Sequence, residues 1–257
     1  MTRTATLPSV SAPFAWKTSG EVVWIEAVVG AAAAAFSTRL GGDSEGPFWS
    51  LNLGILTDDE PDRVRSNRGV LAQSLGRDPG SIAMGHQVHG AELQVRDRPP
   101  QPGAPLERVD AQVTTSAALT PLVLVADCVP LVLSAPGAVA AVHCGWRGVA
   151  AGIVARAVAE VVALGDGSVS AAVGPGIGPC CYEVGAEVME SFAARGHDLH
   201  GPMLDLPACV AVELERAGVE DVAVAGICVS CNEQVFFSHR RDGGVTGRQA
   251  ALAWLGS

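Results

Sequence analysis

The sequence has no apolar run able to cross a bilayer. Its longest apolar region, residues 119–142, is interrupted by Asp127, Pro130 and Pro136, whereas a spanning helix needs about 20 nearly continuous apolar residues. That region predicts several short buried strands instead. The N-terminal peptide MTRTATLPSVSAPFAW lacks the continuous apolar core of a secretory signal. Charge is scarce too: 17 % of residues are charged, and the net charge is −10 with a pI near 5.0. Nonspecific nucleic-acid binding rests on clustered Lys and Arg. The clearest basic pair here is Arg240-Arg241, so neither a membrane nor a nucleic acid is the expected partner. There is also no Gly-x-Gly-x-x-Gly fingerprint and no P-loop lysine, which argues against dinucleotide binding. An acidic surface still leaves room for a small basic pocket that takes an anionic ligand.

What is present is the material for a large core. Apolar residues make up 48 % of the 257, enough for one large domain and too many for a disordered chain. Seven cysteines at uneven spacings do not form the framework of a secreted scaffold and indicate a reduced, cytoplasmic setting. Residues 1–19, rich in Pro, Ser and Thr, read as a loosely held N-terminal arm ahead of a single catalytic domain over 20–257. Glycine-bounded apolar runs at 21–27 and 31–38 predict a hairpin turning at Gly30. Residues 61–75 predict a helix, with proline in the first turn and Val64, Arg68, Leu71 and Leu75 at helical spacing. Short strands are predicted at 122–126, 131–134, 139–143, 171–173 and 222–226, the last closing the strand series. Helices are predicted at 149–164, 183–194 and 206–217, and the proline-rich stretch 98–105 reads as an irregular connection. Strands and helices mix throughout, which gives a mixed α/β class.

Three peptides end apolar strands in soft or borderline metal donors: QVHG at His89, ADCVP at Cys128 and VHCGWRG at His143. Catalytic zinc sites keep three N, S or O ligands and leave a fourth position open. Two histidines and a cysteine meet that count. By residue type alone, the same three also suit a buried cysteine and two hydrogen-bonded histidines.

The order of the surrounding peptides adds a resemblance. The blocks are FSTRLGG at 36–42, SLNLG at 50–54, SNRGVL at 66–71, QVHG at 87–90, ADCVPL at 126–131, HCGWRG at 143–148, VGPGIGPCCYEVG at 173–185, and FFSHRRD with TGR at 236–248. In that order they resemble the YfiH family of bacterial proteins, related to the mammalian laccase-domain proteins. The resemblance implies a four-layer α/β/β/α sandwich with mixed sheets, and zinc held by His89, Cys128 and His143. It also implies phosphorolysis of adenosine, inosine, guanosine and methylthioadenosine, and hydrolytic deamination of adenosine. A link to peptidoglycan editing and an older one to polyphenol oxidation come with the family. The expected partners are a small nucleoside and phosphate, and the expected state is a monomer. Oxidation at a four-copper centre needs about ten histidines, many as His-x-His pairs. This chain has six and no such pair. Cu2+ remains a competitor of Zn2+ at the same three-ligand site, since it binds most nitrogen and sulfur sets more tightly.

Roles follow from the chemistry. Deamination asks for a zinc-activated water and a carboxylate to shuttle its proton. Asp127, beside Cys128, is the candidate, with orientation of a ligand histidine as its other reading. Phosphorolysis asks for an anion pocket, which suits arginine because its planar fork binds phosphate oxygens in pairs. Arg39, in the TRLGG turn, is the first choice, with Arg240, Arg241 and Arg248 behind it; each is otherwise a surface or ion-pair residue. Asn52 and Asn67-Arg68 divide between pocket lining and turn or helix-end structure. The glycines of GPGIGP either cradle a ligand with N–H groups or permit tight turns. Cys144, Cys180 and Cys181 offer competing ligands or, as small buried cysteines, none. His86 is a decoy ligand, one helical turn from His89, unless the segment is extended. A metal-free alternative makes Cys128 the nucleophile and His143 the base of a cysteine hydrolase acting on a cell-wall precursor.

Overall fold

The computed structural model describes residues 5–99, 101 and 105–256. In chain order the elements are β1 (Phe14–Ser19), β2 (Val22–Val29), β3 (Ala32–Ser37), α1 (Pro61–Ser74), β4 (Ile82–Ala83), β5 (Leu93–Val95) and β6 (Ala111–Thr114). There follow β7 (Thr120–Val125), β8 (Val129–Ala135), β9 (Ala138–Cys144), α2 (Trp146–Ala150), α3 (Ile153–Leu164) and β10 (Ser170–Val173). The chain closes with α4 (Ala186–Ala193), α5 (Leu206–Arg216), β11 (Asp221–Val224) and β12 (Gln249–Leu255). One sheet has the order β1-β2-β3-β12-β7-β4 and the other β11-β10-β8-β9-β6-β5. Both are mixed, because β4 runs parallel to β7, β5 to β6 and β10 to β11, and the remaining pairs are antiparallel.

Strand alternation makes the layers. Along β9, Ala138, Ala140, Val142 and Cys144 join a core with Ile153, Val154, Ala157 and Val161 of α3 and with Val210 and Leu214 of α5. The alternate residues Val139 and Ala141 turn the other way and meet Ile25, Ala34, Phe36 and Ala251 of the facing sheet. The outer face of that facing sheet buries Trp24, Leu122 and Leu252 against Leu71 of α1. Helix, sheet, sheet and helices therefore stack in the expected α/β/β/α order. Residues 119–142 fold as strands rather than a span, and no helix among the described residues is long and apolar enough to cross a membrane.

Several sequence expectations need correction. The N-terminal arm is not loose from residue 7 onward: Leu7 and Val10 pack on the core between the sheets, and β1 pairs along its length with β2. Alternating apolar residues were too few there to reveal a strand, and the partner strand supplies the order. The helix expected at 149–164 starts earlier, at Trp146, and is broken at Gly152, whose left-handed φ of +88° separates α2 from α3. The strand series does not end near residue 226, since β12 sits between β3 and β7 in its sheet. The irregular stretch 98–105 falls partly outside the described residues. The hairpin at Gly30, φ +55°, and α1 lie where expected.

The two sheets pack tightly where Gly174 follows β10, against Phe36 of β3. A Cβ on Gly174 would overlap the ring of Phe36 and crowd Pro130. Phe36 is fully buried and has nowhere to move. Gly174→Ala is therefore expected to lower stability by roughly 1–3 kcal/mol, the usual cost of overpacking, measured as a fall in the urea midpoint at unchanged slope.

Candidate metal centre

The register of the β8–β9 hairpin puts two donors together. Pro130 pairs with His143 and Val129 with Cys144. Side chains alternate across a sheet, so Cys128, one step before β8, leaves on the face of His143, while Cys144 turns into the helix-side core. Because β7 lies in one sheet and β8 in the other, residues 126–128 cross between them. Asp127 makes that crossing with φ +91°. His89 arrives on the connection between β4 and β5, also left-handed, with φ +59°. Such conformations in non-glycine residues persist only where the surroundings impose them.

At His89 the imposing group is Asp110, a buried carboxylate that the sequence reading did not single out. Its Oδ2 accepts the N–H groups of Val88 at 3.1 Å and Gly90 at 2.8 Å, and its Oδ1 accepts that of His89 at 2.9 Å. The same Oδ1 lies 2.7 Å from His143 Nδ1, and the His143 main-chain N–H donates to the Asp110 carbonyl at 2.7 Å. One side chain thus shapes the loop of one candidate ligand and fixes the ring of another, leaving Nε2 of His143 for a metal. The only sequence signal was position: Asp110 immediately precedes β6, which pairs with β9.

The ligand atoms of His89, Cys128 and His143 lie within 4.8 Å of one another. The imidazole rings stand edge to face, 4.8 Å between centroids. Burial works against ionisation of Cys128, but His143 and His89 outweigh it and bring the thiol down to about 6. At neutral pH it is a thiolate, the form that binds metal. Burial likewise opposes charge on His143, yet the Cys128 thiolate and Asp110 lift it to about 9. Burial pushes the Cys144 thiol up, and it stays protonated in the core.

Gly145 packs against all three candidate ligand residues. A Cβ there would stand 2.9 Å from His89 Cδ2, 3.2 Å from Cys128 Sγ and 3.5 Å from His143 Cε1. The absent side chain keeps the three ligand residues uncrowded, as a cradle for an ion requires. Gly145→Ala is expected to weaken zinc binding on the order of tenfold, the lower end of what disturbed ligand support costs. Competition with a chromophoric chelator measures it.

Other expected residues divide. Asp127 does not orient a histidine: its Oδ1 accepts Ser238 Oγ and its Oδ2 the Arg240 N–H, both at 2.6 Å, which anchors the 238–241 loop beside the donors. Arg39 donates to the carbonyls of Trp49 at 2.6 Å and Glu233 at 2.9 Å and lies over the Phe237 ring. Arg240 donates to the Glu183 carbonyl and covers Tyr182, and Arg248 donates to the carbonyls of Thr246 and Gly247. Burial, the largest effect, lowers the pKa of Arg248, against the charges of Cys128 and Asp127, which favour its cation. Burial also leads the lowering at Arg39.

Arg241 instead forms an ion pair with Asp242 at 2.7 Å. Asn52 is a correction. It is fully buried, its amide donates to Thr57 and Asp59, and its oxygen accepts the Gly54 and Arg248 N–H groups, so it has nothing left for a ligand. Asn67 is likewise spent on Ser44 and main-chain carbonyls, whereas Arg68 donates its Nε to the Leu53 carbonyl, sets Nη1 against the Met84 sulfur and leaves Nη2 buried without a partner. His86 is exposed on an irregular segment and is not one of the converging donors. In GPGIGP, Gly176 and Ile177 donate to Ile227 and Asp127 carbonyls, so these N–H groups build the turn rather than a cradle. Tyr182 was missed although it lies inside a quoted block. Burial first, then the Cys128 charge, pushes its phenol up to about 12.

Comparison with known proteins places this geometry in context. A family model described as multi-copper polyphenol oxidoreductase laccase matches residues 33–256. A purine nucleoside phosphorylase of Streptomyces coelicolor is 40 % identical over 230 residues, covering 86 % of this chain and 94 % of the relative. The crystal structure of YlmD from Geobacillus stearothermophilus superposes with a TM-score of 0.84 at 33 % identity, over 95 % of this chain and all of that one (100 %). A Bacillus licheniformis protein named YfiH gives 0.84 at 29 % identity, over 96 % and 100 %. The multi-copper description finds no four-copper ligand set here. Among the described residues His89 and His143 share a site, whereas His197 bonds Glu213 and His200 faces Asp198.

Proposed function

The chain belongs to this laccase-domain family, and from that premise we propose that it is a zinc-dependent purine nucleoside phosphorylase that also deaminates adenosine. The observation that carries the reading is the pairing of an incomplete three-donor set with guanidinium groups that bond carbonyls and no carboxylate among the described residues. The name carried by the Streptomyces coelicolor relative supports the nucleoside and phosphate part.

His89, the Cys128 thiolate and Nε2 of His143 would hold the ion, with Asp110 keeping His143 in the right tautomer. A bound Zn2+ supplies Lewis acidity at its open fourth position. The chain's own groups do the rest. Arg39, Arg240 and Arg248 receive phosphate, since none of them is salt-bridged to a carboxylate among the described residues and their forks are partly free. Asp127, an acceptor with lone pairs remaining on both oxygens, takes a proton from the attacking group. The reading places the enzyme as a monomer in a reducing, cytoplasmic setting, with Cu2+ as the competing ion.

The test is product analysis on the purified, zinc-loaded protein. Inosine should give hypoxanthine and ribose 1-phosphate only when phosphate is added, while adenosine should give inosine without it. Equal rates from the zinc-loaded and chelator-stripped protein would sink the proposal.

One observation favours a second reading. Cys128, His143 and Asp110 stand in the order thiolate, imidazole and carboxylate, the arrangement of a cysteine hydrolase. Such an enzyme would be trapped by substrate-like electrophiles and indifferent to chelators, and a cell-wall amide or ester is the substrate class to offer it.

A further inference from the structure

We propose that Cys180, Cys181, Cys228 and Cys231 form a second, closed zinc site that clamps the two loops beyond β10 and β11. By sequence, Cys180 and Cys181 are either competing metal ligands or small buried cysteines without a role. The structure favours the first: Cys180 and Cys231 are exposed, Cys181 and Cys228 half-buried, and all four sulfurs lie within 4.8 Å of one another.

Topology brings them together. β10 and β11 are parallel neighbours, and their pairing continues past the strands through a bridge between Gly176 and Cys228. The two chains therefore leave the sheet side by side, one carrying the Cys180-Cys181 pair and the other a Cys-x-x-Cys turn. Gly178 allows the close approach, since a Cβ there would meet Cys228 Cβ at 3.3 Å and Cys180 Sγ at 3.5 Å.

The distances suit a metal. Zinc–sulfur bonds of about 2.3 Å put tetrahedral sulfurs roughly 3.8 Å apart, against about 2.05 Å in a disulfide. Cys231 Sγ stands 3.4 Å from both Cys180 Sγ and Cys181 Sγ, which brackets the tetrahedral edge with the 4.8 Å upper bound. The Gly178 N–H already donates to Cys228 Sγ at 3.2 Å, a contact that favours thiolate. Four sulfurs with no open position define a structural site, unlike the three-donor set at Cys128. Binding releases the thiol protons to solvent and changes no oxidation state.

The clamp has a clear mechanical target. Arg240 bonds the carbonyl of Glu183, two residues past Cys181; Arg241 bonds those of Val229 and Ser230, between Cys228 and Cys231; and Arg39 bonds that of Glu233. The loops joined by these cysteines are the ones on which those arginines rest.

Metal analysis of the full chain, purified with reductant and zinc and then desalted, tests this independently of any turnover. Two zinc ions per chain are expected for the wild type, one for Cys128→Ala, one for Cys228→Ser and none for the double variant. In case Cys228→Ser fails to fold, a thiol reagent is applied to native Cys128→Ala, which retains only the four-cysteine ion. Four thiols should become reactive only as a chelator withdraws one zinc. Unchanged zinc in a folded Cys228→Ser protein, four thiols freely reactive before chelation, a mass deficit showing disulfides, or iron with acid-labile sulfide would each overturn the proposal. Retention of both ions by Cys128→Ala would count against the first site alone.

Discussion

Cys128→Ala is expected to abolish metal binding at the three-donor site and to reduce nucleoside turnover by about a thousandfold or more. Removing the thiolate leaves two imidazoles, too few to retain zinc against a chelator in a site that had three ligands to begin with. Metal catalysis contributes several kcal/mol of transition-state stabilisation, and each 1.36 kcal/mol is about a tenfold change in rate. Little fold stability should be lost, because Cys128 is half-buried and outside the strand ladder. The decisive measurement pairs elemental analysis with an inosine phosphorolysis assay. A folded variant that keeps its ion yet loses turnover would transfer Cys128 to the nucleophile's role in the hydrolase reading.

Asp110→Asn is expected to cost both metal affinity and stability, although it changes one atom. Each carboxylate oxygen faces two N–H groups: Val88 and Gly90 on Oδ2, His89 and the His143 ring on Oδ1. An amide nitrogen placed at Oδ2 meets two donors with a third. Placed at Oδ1, it meets the His89 N–H and forces His143 into the tautomer whose protonated Nε2 no longer binds metal. Each orientation strands buried donors at about 1–3 kcal/mol apiece, so a stability loss of roughly 2–4 kcal/mol follows. Loss of the group that orients a ligand histidine typically reduces metal affinity by about 10–100-fold. Zinc titration against a competing chelator, with a denaturant curve on the zinc-free protein, separates the two effects. Wild-type zinc affinity in the Asn variant would contradict the role given to Asp110.

The sequence reading succeeded where the information was local. The β2–β3 hairpin, α1, β8, β9 and β10 each carry their own periodicity and punctuation, and their positions agree with the structure. It failed where a partner decides. β1 has a single buried side chain, Phe14, and exists because β2 pairs with it. β12 is apolar but too near the end of the chain to stand out, and it becomes a central strand only when β3 and β7 flank it. Asn52 and Asn67 read as candidate pocket residues because their type is ambiguous, and only their saturated hydrogen bonds give them a structural role.

The same division holds at the metal centre that His89, Cys128 and His143 compose. Donor chemistry and motif order were legible in the chain, since thiol and imidazole are properties of residues and the order of peptides is a property of the sequence. The convergence of those donors was not, because it depends on a crossing between sheets at Asp127, a β8–β9 register and a loop pinned by Asp110 from 21 residues away. The four-cysteine cluster was hidden for a like reason: 50 residues separate Cys181 from Cys231, and parallel pairing of β10 with β11 alone brings them within reach. Residue type settles which chemistry is available, while long-range backbone pairing settles which residues share it.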